Sequence, residues 1–243
     1  MIIGICLYCK LSFRKRTQKY KFCSVTCANR HNLNGLRKVS LPVKSKDLAE
    51  FIGICLGDGY TTRYQVGIVL NSLVDSEYSE YVLSLLRALF PDANISFFKR
   101  SKENAIVLQV NSSIVANFVH GMGIVSNAKY VPKWILENQD YQRARIRGLF
   151  DTEGSISFKK YTSRNGIKLY KQLNFRNYNV ELMRFVRDGL LDLGLKPTMT
   201  LNKSLYLSND KSFFIFRDKI GFSNPKLLKR SLVMNIDQYK KLF

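Results

Sequence analysis

Phe51-Ile52-Gly53-Ile54-Cys55-Leu56-Gly57-Asp58-Gly59 is the stretch on which the fold turns. It closes an apolar run with an acid followed by glycine, and reads as the end of a buried helix. The pattern returns 95 residues later as Ile146-Arg147-Gly148-Leu149-Phe150-Asp151-Thr152-Glu153-Gly154. Gly53 aligns with Gly148, Ile54 with Leu149, Asp58 with Glu153 and Gly59 with Gly154. A repeat at this distance predicts two similar halves, each carrying one carboxylate at a helix end.

Each predicted helix has small residues four apart, Gly53/Gly57 in the first and Gly148/Thr152 in the second. Positions i and i+4 share one helix face, and small side chains there let two backbones approach closely. Packing the helices side by side brings Asp58 and Glu153 together. That is unfavourable by itself, because each acid sits at the negative end of a helix dipole and the two repel. A divalent cation between them reverses both effects. Gly59 and Gly154 are expected to close the helices as left-handed C-caps.

These two segments resemble the motifs of the LAGLIDADG homing endonucleases, in the two-motif, single-chain form, over roughly residues 47–243. The first departs from the motif at Leu56, where the family has its first aspartate. The second carries Glu153 in place of the metal-binding aspartate, a variant the family tolerates. The resemblance implies that Asp58 and Glu153 are catalytic and bind Mg²⁺ (or Mn²⁺), with the main-chain carbonyls of Gly57 and Thr152 beside them. It also implies that each half's sheet curves as a saddle over the DNA major groove, and that both strands are cut across the minor groove with 3′ overhangs.

Lys and Arg number 39 against 18 Asp and Glu, giving a formal charge of +21 and a pI near 9.9. The excess is distributed along the chain, which points to a polyanionic partner, most simply double-stranded DNA. A membrane surface fits less well, because no long basic amphipathic helix stands out. No run of 18 apolar residues could span a bilayer, and Met1–Ile5 lacks the charged and apolar regions of a signal peptide. An intracellular location follows as an expectation, and in a reducing compartment the five cysteines are metal ligands or core residues.

Residues 1–32 read as a separate module. Cys6-x2-Cys9 and Cys23-x3-Cys27 supply two ligand pairs that can close a tetrahedral Zn²⁺ site, and so short a segment needs such a staple to fold. Lys10, Arg14, Lys15, Arg16, Lys19 and Lys21 lie between the pairs, with Phe13, Tyr20 and Phe22 among them, as in a small finger that touches phosphates. His31 is a spare ligand. Cys55, inside the first motif helix, reads as core. Residues 33–46 read as a basic linker, and Asp47 as the N-cap of the first motif helix.

From 47 to 140 and again from 141 to 243 the order reads αββαββα, an α+β arrangement of antiparallel strands with helices on one face. Thr61, Arg63, Gln65 and Asn71 are expected on the open face of the first sheet, and Tyr60, Tyr64, Val66, Ile68 and Leu70 on the other. Arg100 and Gln109 extend the polar set. In the second half Lys168, Tyr170, Gln172, Asn174 and Arg176 face outwards, with Lys159 on the preceding strand. The loop Ser163-Arg164-Asn165-Gly166 reads as a hairpin turn, and a basic helix is expected from about 226 to 241.

A weaker repeat, Gly123-Ile124-Val125-Ser126-Asn127-Ala128-Lys129 against Gly221-Phe222-Ser223-Asn224-Pro225-Lys226, follows the last helix of each half. The family places basic active-site residues there, which nominates Lys129 and Lys226. Asn71 and Asn177 are the expected polar neighbours of the two acids. Leu70 departs from the family's glutamine. The leading functional expectation is a monomeric, site-specific DNA endonuclease, intron-encoded or free-standing because no splicing blocks flank it. An intron RNA maturase and a non-catalytic DNA-binding regulator are the alternatives on the same scaffold.

Overall fold

The computed structural model describes residues 2–34, 39–124, 130–163, 166–200 and 203–233. The chain divides into two compact units, Met1–Lys38 and Val39–Phe243. Among the described residues no helix is long and apolar enough to cross a membrane.

The first unit is a hairpin of β1 (Ile2–Ile5) and β2 (Ser12–Lys15) followed by α1 (Val25–Asn34). The strands pair antiparallel from Ile2↔Lys15 to Ile5↔Ser12. Helix α1 runs to Asn34, two residues into the stretch expected to be linker.

The second unit opens with α2 (Lys46–Asp58), β3 (Gly59–Thr61), β4 (Gln65–Asn71), α3 (Ser76–Leu89), β5 (Asn94–Arg100), β6 (Ala105–Asn111) and α4 (Ser113–His120). After the single turn α5 (Lys133–Leu136), the order repeats as α6 (Gln139–Glu153), β7 (Gly154–Ser163), β8 (Gly166–Arg176), α7 (Val180–Asp192), β9 (Thr198–Thr200), β10 (Ser204–Leu207) and α8 (Asp210–Lys219). A short α9 (Pro225–Ser231) follows. The two sheets have the same antiparallel strand order, β3-β4-β6-β5 and β7-β8-β10-β9. The αββαββα repeat expected from the sequence is therefore present in both halves.

Period-two alternation decides which sheet face meets the helices. Val66, Ile68 and Leu70 of β4, Ile106, Leu108 and Val110 of β6, and Leu173 and Phe175 of β8 are buried in one core. That core also holds Leu48, Phe51, Ile52 and Ile54 of α2 with Ile146, Leu149 and Phe150 of α6. At ~25 cal/mol per Å² of apolar surface, each such side chain contributes about 1.5–3 kcal/mol.

Several local expectations are corrected. Ser45, not Asp47, caps α2, with its hydroxyl accepting from the Leu48 N–H at 3.1 Å. Asp47 then falls in the first turn, where a carboxylate still favours the positive helix end. Gly59 and Gly154 are extended, at φ −95° and −91°, not left-handed. Each helix runs straight into a strand, and a Cβ there would lie 2.4 Å from the carbonyl oxygen of Cys55 or Phe150. Glycine is needed for space, not for φ.

Tyr60 and Thr61 exchange faces relative to the expectation. Tyr60 pairs with Gly67 and lays its ring over it on the open side, whereas Thr61 donates its hydroxyl to the Ile124 carbonyl at 3.4 Å. Tyr64 is 64% exposed in the turn between β3 and β4. Helix α9 ends at Ser231, short of the expected 241; residues 234–243 lie outside the described residues. The tip of the expected 163–166 turn, at 164–165, lies outside them too, although Ser163 pairs with Gly166 as a two-residue hairpin requires.

Candidate active site and nucleic-acid face

Helices α2 and α6 pack backbone to backbone, and the glycines measure how closely. A Cβ on Gly53 would lie 2.3 Å from the Arg145 carbonyl oxygen and 3.1 Å from the Leu149 nitrogen. One on Gly148 would lie 2.3 Å from the Glu50 oxygen and 2.9 Å from the Ile54 nitrogen. Glu50 aligns with Arg145 and Ile54 with Leu149, so the crossing is reciprocal, as a two-fold relation between the halves demands. At Gly57 a Cβ would meet the Thr152 Oγ1 at 2.1 Å and the Glu153 Cγ at 3.1 Å. The crossing therefore carries Asp58 and Glu153 to one place at the adjoining helix ends.

The electrostatics are those of an incomplete site. Burial, Glu153 and Asp75 push the Asp58 carboxyl up to about 7, while Lys226 acts the other way. Two acids facing each other at the negative ends of two dipoles need a counter-charge. The side chains offer only oxygen, which suits a hard divalent cation such as Mg²⁺. The Thr152 hydroxyl is turned back onto the Gly148 and Leu149 carbonyls, both at 3.1 Å.

The second acid has a polar neighbour from its own sheet, since Asn177 Nδ2 lies 3.5 Å from Glu153 Oε1. Register gives Asn177 a different counterpart from the one expected. Gly59 pairs with Ile68 and Gly154 with Phe175, so Asn177 corresponds to Leu70, which is buried. Asn71 instead closes a turn, accepting from the Leu73 N–H at 2.8 Å and the Val74 N–H at 3.3 Å. Lys226 Nζ lies 2.7 Å from Asp75 Oδ1. Lys129 lies outside the described residues.

Sequence reasoning missed a polar network behind this site. Glu50, fully buried, is ion-paired with Arg147 and accepts from Tyr81 Oη at 2.8 Å and Ser223 Oγ at 2.6 Å. Asp151 accepts from the Ser223 N–H at 3.0 Å, and its burial raises its carboxyl to about 7. A signal was present: Glu50 falls one turn before Gly53, on the small-residue stripe of an otherwise apolar helix.

Polar side chains ladder across the open faces of both sheets. On the first, Tyr60 Oη donates to Gln109 Oε1 at 3.1 Å, Gln109 Nε2 to Gln65 Oε1 at 2.7 Å, and Asn111 Nδ2 to Ser96 Oγ at 2.8 Å. Arg63 and Arg100 are exposed at the rim, over the Tyr64 and Phe98 rings. On the second, Gln172 Nε2 donates to Ser208 Oγ at 2.6 Å and Asn174 Nδ2 to Ser157 Oγ at 3.0 Å. Lys159 and Tyr170 pair across β7 and β8, and Arg176 and Lys203 lie over the Tyr178 ring. The side chain of Lys168 lies outside the described residues.

In the first unit Cys6, Cys9, Cys23 and Cys27 bring their sulfurs within 4.8 Å of one another. The Cys9–Cys23 and Cys23–Cys27 sulfurs are 3.6 and 3.4 Å apart. A tetrahedron with ~2.3 Å Zn–S bonds has edges of about 3.8 Å, so the cluster fits zinc. The Cys23 thiol donates to the Cys27 sulfur and shares a second hydrogen bond with Cys9, which favours its protonated form and pushes it up to about 12. A bound cation would take the place of those protons and hold the four sulfurs as thiolates. Arg14 and Arg16 are exposed on and just after β2, with Lys15 half-buried between them.

Residues 140–221 match the family model described as a LAGLIDADG-like domain. Among curated proteins, the chain is 28% identical over 116 residues to DNA-directed RNA polymerase subunit Rpo1C of Methanocaldococcus jannaschii, covering 46% of this chain and 13% of that protein. It is 27% identical over 205 residues to the replication factor C small subunit of the same organism, covering 82% and 11%. The chain thus spans only about a tenth of the length of these relatives.

Among solved structures, the homing endonuclease I-DmoI in complex with DNA and manganese matches with TM-score 0.51 and 21% identity, covering 73% of this chain and 97% of that one. The homing endonuclease I-WcaI bound to its DNA recognition sequence matches with TM-score 0.52 and 14% identity, covering 90% and 96%. The N-terminal LAGLIDADG domain of DUF199/WhiA matches with TM-score 0.53 and 15% identity, covering 84% and 91%. With the reciprocal packing of α2 on α6, these likenesses make residues 140–221 a LAGLIDADG-like domain within a chain that has the two-motif, single-chain LAGLIDADG homing endonuclease fold.

Proposed function

We propose that the chain is a site-specific DNA endonuclease of the homing type, which cuts both strands of a long duplex site in one binding event and leaves 3′ overhangs. The observation that carries the reading is the convergence of Asp58 and Glu153 at the adjoining ends of two helices packed backbone to backbone. Asp58 serves one strand and Glu153 the other, with the main-chain carbonyls of Gly57 and Thr152 as further oxygen donors. A divalent cation, Mg²⁺ or Mn²⁺, would supply an activated water and neutralise the phosphate.

The chain's own residues do the rest. Lys226 supplies positive charge beside Asp58, and Asn177 orients Glu153. The ladders on the two sheets, with Arg63, Gln65, Arg100 and Gln109 on one and Lys159, Lys168, Tyr170, Gln172, Asn174 and Arg176 on the other, would read bases in the major groove, where amides and guanidinium groups discriminate between base edges. Zn²⁺ on Cys6, Cys9, Cys23 and Cys27 would hold the first unit, whose Arg14, Lys15 and Arg16 add phosphate contacts. One chain carries both acids, so a monomer is sufficient.

The curated relatives support an embedded module. A DNA-directed RNA polymerase subunit and a replication factor C small subunit, two differently named proteins, each share a segment of about a tenth of their length with this chain. Selection of cleaved duplexes from a randomised DNA library tests the reading. The expected result is one long site, cut on both strands only with Mg²⁺ or Mn²⁺. Specific binding of duplex with no cutting in either metal would sink it in favour of a regulator, and preferential binding of structured RNA in favour of a maturase.

A further inference from the structure

We propose that Asp75 is a positioning residue that holds Lys226, supplied by the second half, against the Asp58 carboxylate of the first; the proposal rests on the endonuclease reading above. Asp75 stands at the N-cap of α3, where a short acid ordinarily accepts from the N–H groups of the first turn. It makes no such bond. Its carboxylate turns away from its own helix, with Oδ1 2.7 Å from Lys226 Nζ and 3.3 Å from Asn224 Nδ2. Asn179, the N-cap of α7 in the matching place of the second half, behaves ordinarily and accepts from the Leu182 N–H at 3.0 Å.

The segment that delivers Lys226 is anchored along its length. Asn224, 1% exposed, donates from Nδ2 to the Asp151 carbonyl at 3.1 Å and accepts on Oδ1 from the Lys226 N–H at 3.0 Å. One turn later Lys229 pairs with Glu77 of α3 at 2.7 Å. The Asp75 side chain is only 14% exposed, so its pair with Lys226 is partly desolvated and holds its geometry better than a surface pair. An additional acid beside Asp58 and Glu153 adds repulsion unless it brings a cation with it, and Asp75 brings Lys226. The two centres are thus unlike: Asp58 has a clamped lysine from the other half, and Glu153 has Asn177 from its own sheet.

Strand-resolved cleavage tests this. A duplex carrying the selected site, with a distinguishable end label on each strand, is cut under single-turnover conditions in Mg²⁺. Asp58→Asn first identifies the strand that the Asp58 centre cuts. Asp75→Asn is expected to slow that strand about tenfold or more and to leave the other within about twofold. Lys226→Met is expected to give the same pattern, and the double variant to be no slower than the slower single. Asp75→Ser, which can cap α3 without a charge, should keep the strand-specific loss, and Asp75→Glu should recover part of the rate. Equal slowing of both strands, no slowing, or full recovery in Asp75→Ser would overturn the assignment. If Asp58→Asn and Glu153→Gln both leave double-strand cutting intact, it is the underlying assignment of one acid to each strand that fails, and if the wild type does not cut at all, the endonuclease reading.

Discussion

Asp58 sits where a carboxylate is hardest to ionise without help. Its carboxyl is held up at about 7, against an ordinary 3.8, by burial and by the charges of Glu153 and Asp75. The folded protein therefore keeps a proton that the unfolded chain releases between those two values, and stability falls as pH rises through that window. Asp58→Asn removes that fall. In the presence of a chelator, the variant is expected to be more stable than the wild type by ~1–3 kcal/mol at pH 8 and nearly equal to it at pH 4. The chain's one tryptophan, Trp134, packs on Tyr141 in the second unit, so its fluorescence can follow unfolding in urea. Equal stability of the two proteins at pH 8 would contradict the account. The acids themselves were legible because the repeat marks them twice. Asp75 was not, because a helix-capping acid looks the same in sequence whether it caps or reaches across to another segment. The cap of α2 was misplaced at Asp47 on residue type, because only the backbone geometry shows that Ser45 takes that place.

At the scale of elements, the α2–α6 crossing sets the distance between the centres. A methyl group at Gly53 or Gly148 would press within 2.3 Å of a carbonyl oxygen on the opposing helix, and backbone cannot yield as a side-chain tip can. Gly53→Ala and Gly148→Ala are each expected to destabilise the second unit by about 3 kcal/mol or more, and to cost cutting before they cost DNA binding. Calorimetry and a binding titration check both halves of this statement. Wild-type stability in either variant would mean the helices are not packed as described. This crossing was legible, since small residues four apart on two repeated helices imply close approach. So was the αββαββα order along each half, because runs of helical and of alternating period follow one another twice. The conformation of Gly59 and Gly154 was not. An acid followed by glycine suggests a left-handed cap, whereas here the helix flows directly into β3 or β7 and the glycine is held by lack of room. The faces of Tyr60 and Thr61 escaped for a related reason, as the short β3 takes its register from Gly59 and not from its own pattern.

For the molecule as a whole, the net charge of +21 and the polar ladders on the two sheets support the proposed duplex partner. The cysteine cluster makes a separate prediction: the purified protein should contain one zinc per chain by metal analysis. Cys6→Ser or Cys27→Ser should lose it and expose the first unit, Met1–Lys38, to protease, while the second unit keeps its fold. Full zinc content in those variants would remove the cysteines as ligands. The four cysteines were legible by spacing alone. The central claim is that two acids on one chain each cut one strand, and the most direct test uses a supercoiled plasmid carrying the selected site, incubated in Mg²⁺. Wild-type protein should linearise it, while Asp58→Asn and Glu153→Gln should each leave a nicked circle with the nick on opposite strands. Nicks on the same strand, or linear product at the wild-type rate from either variant, would contradict the account.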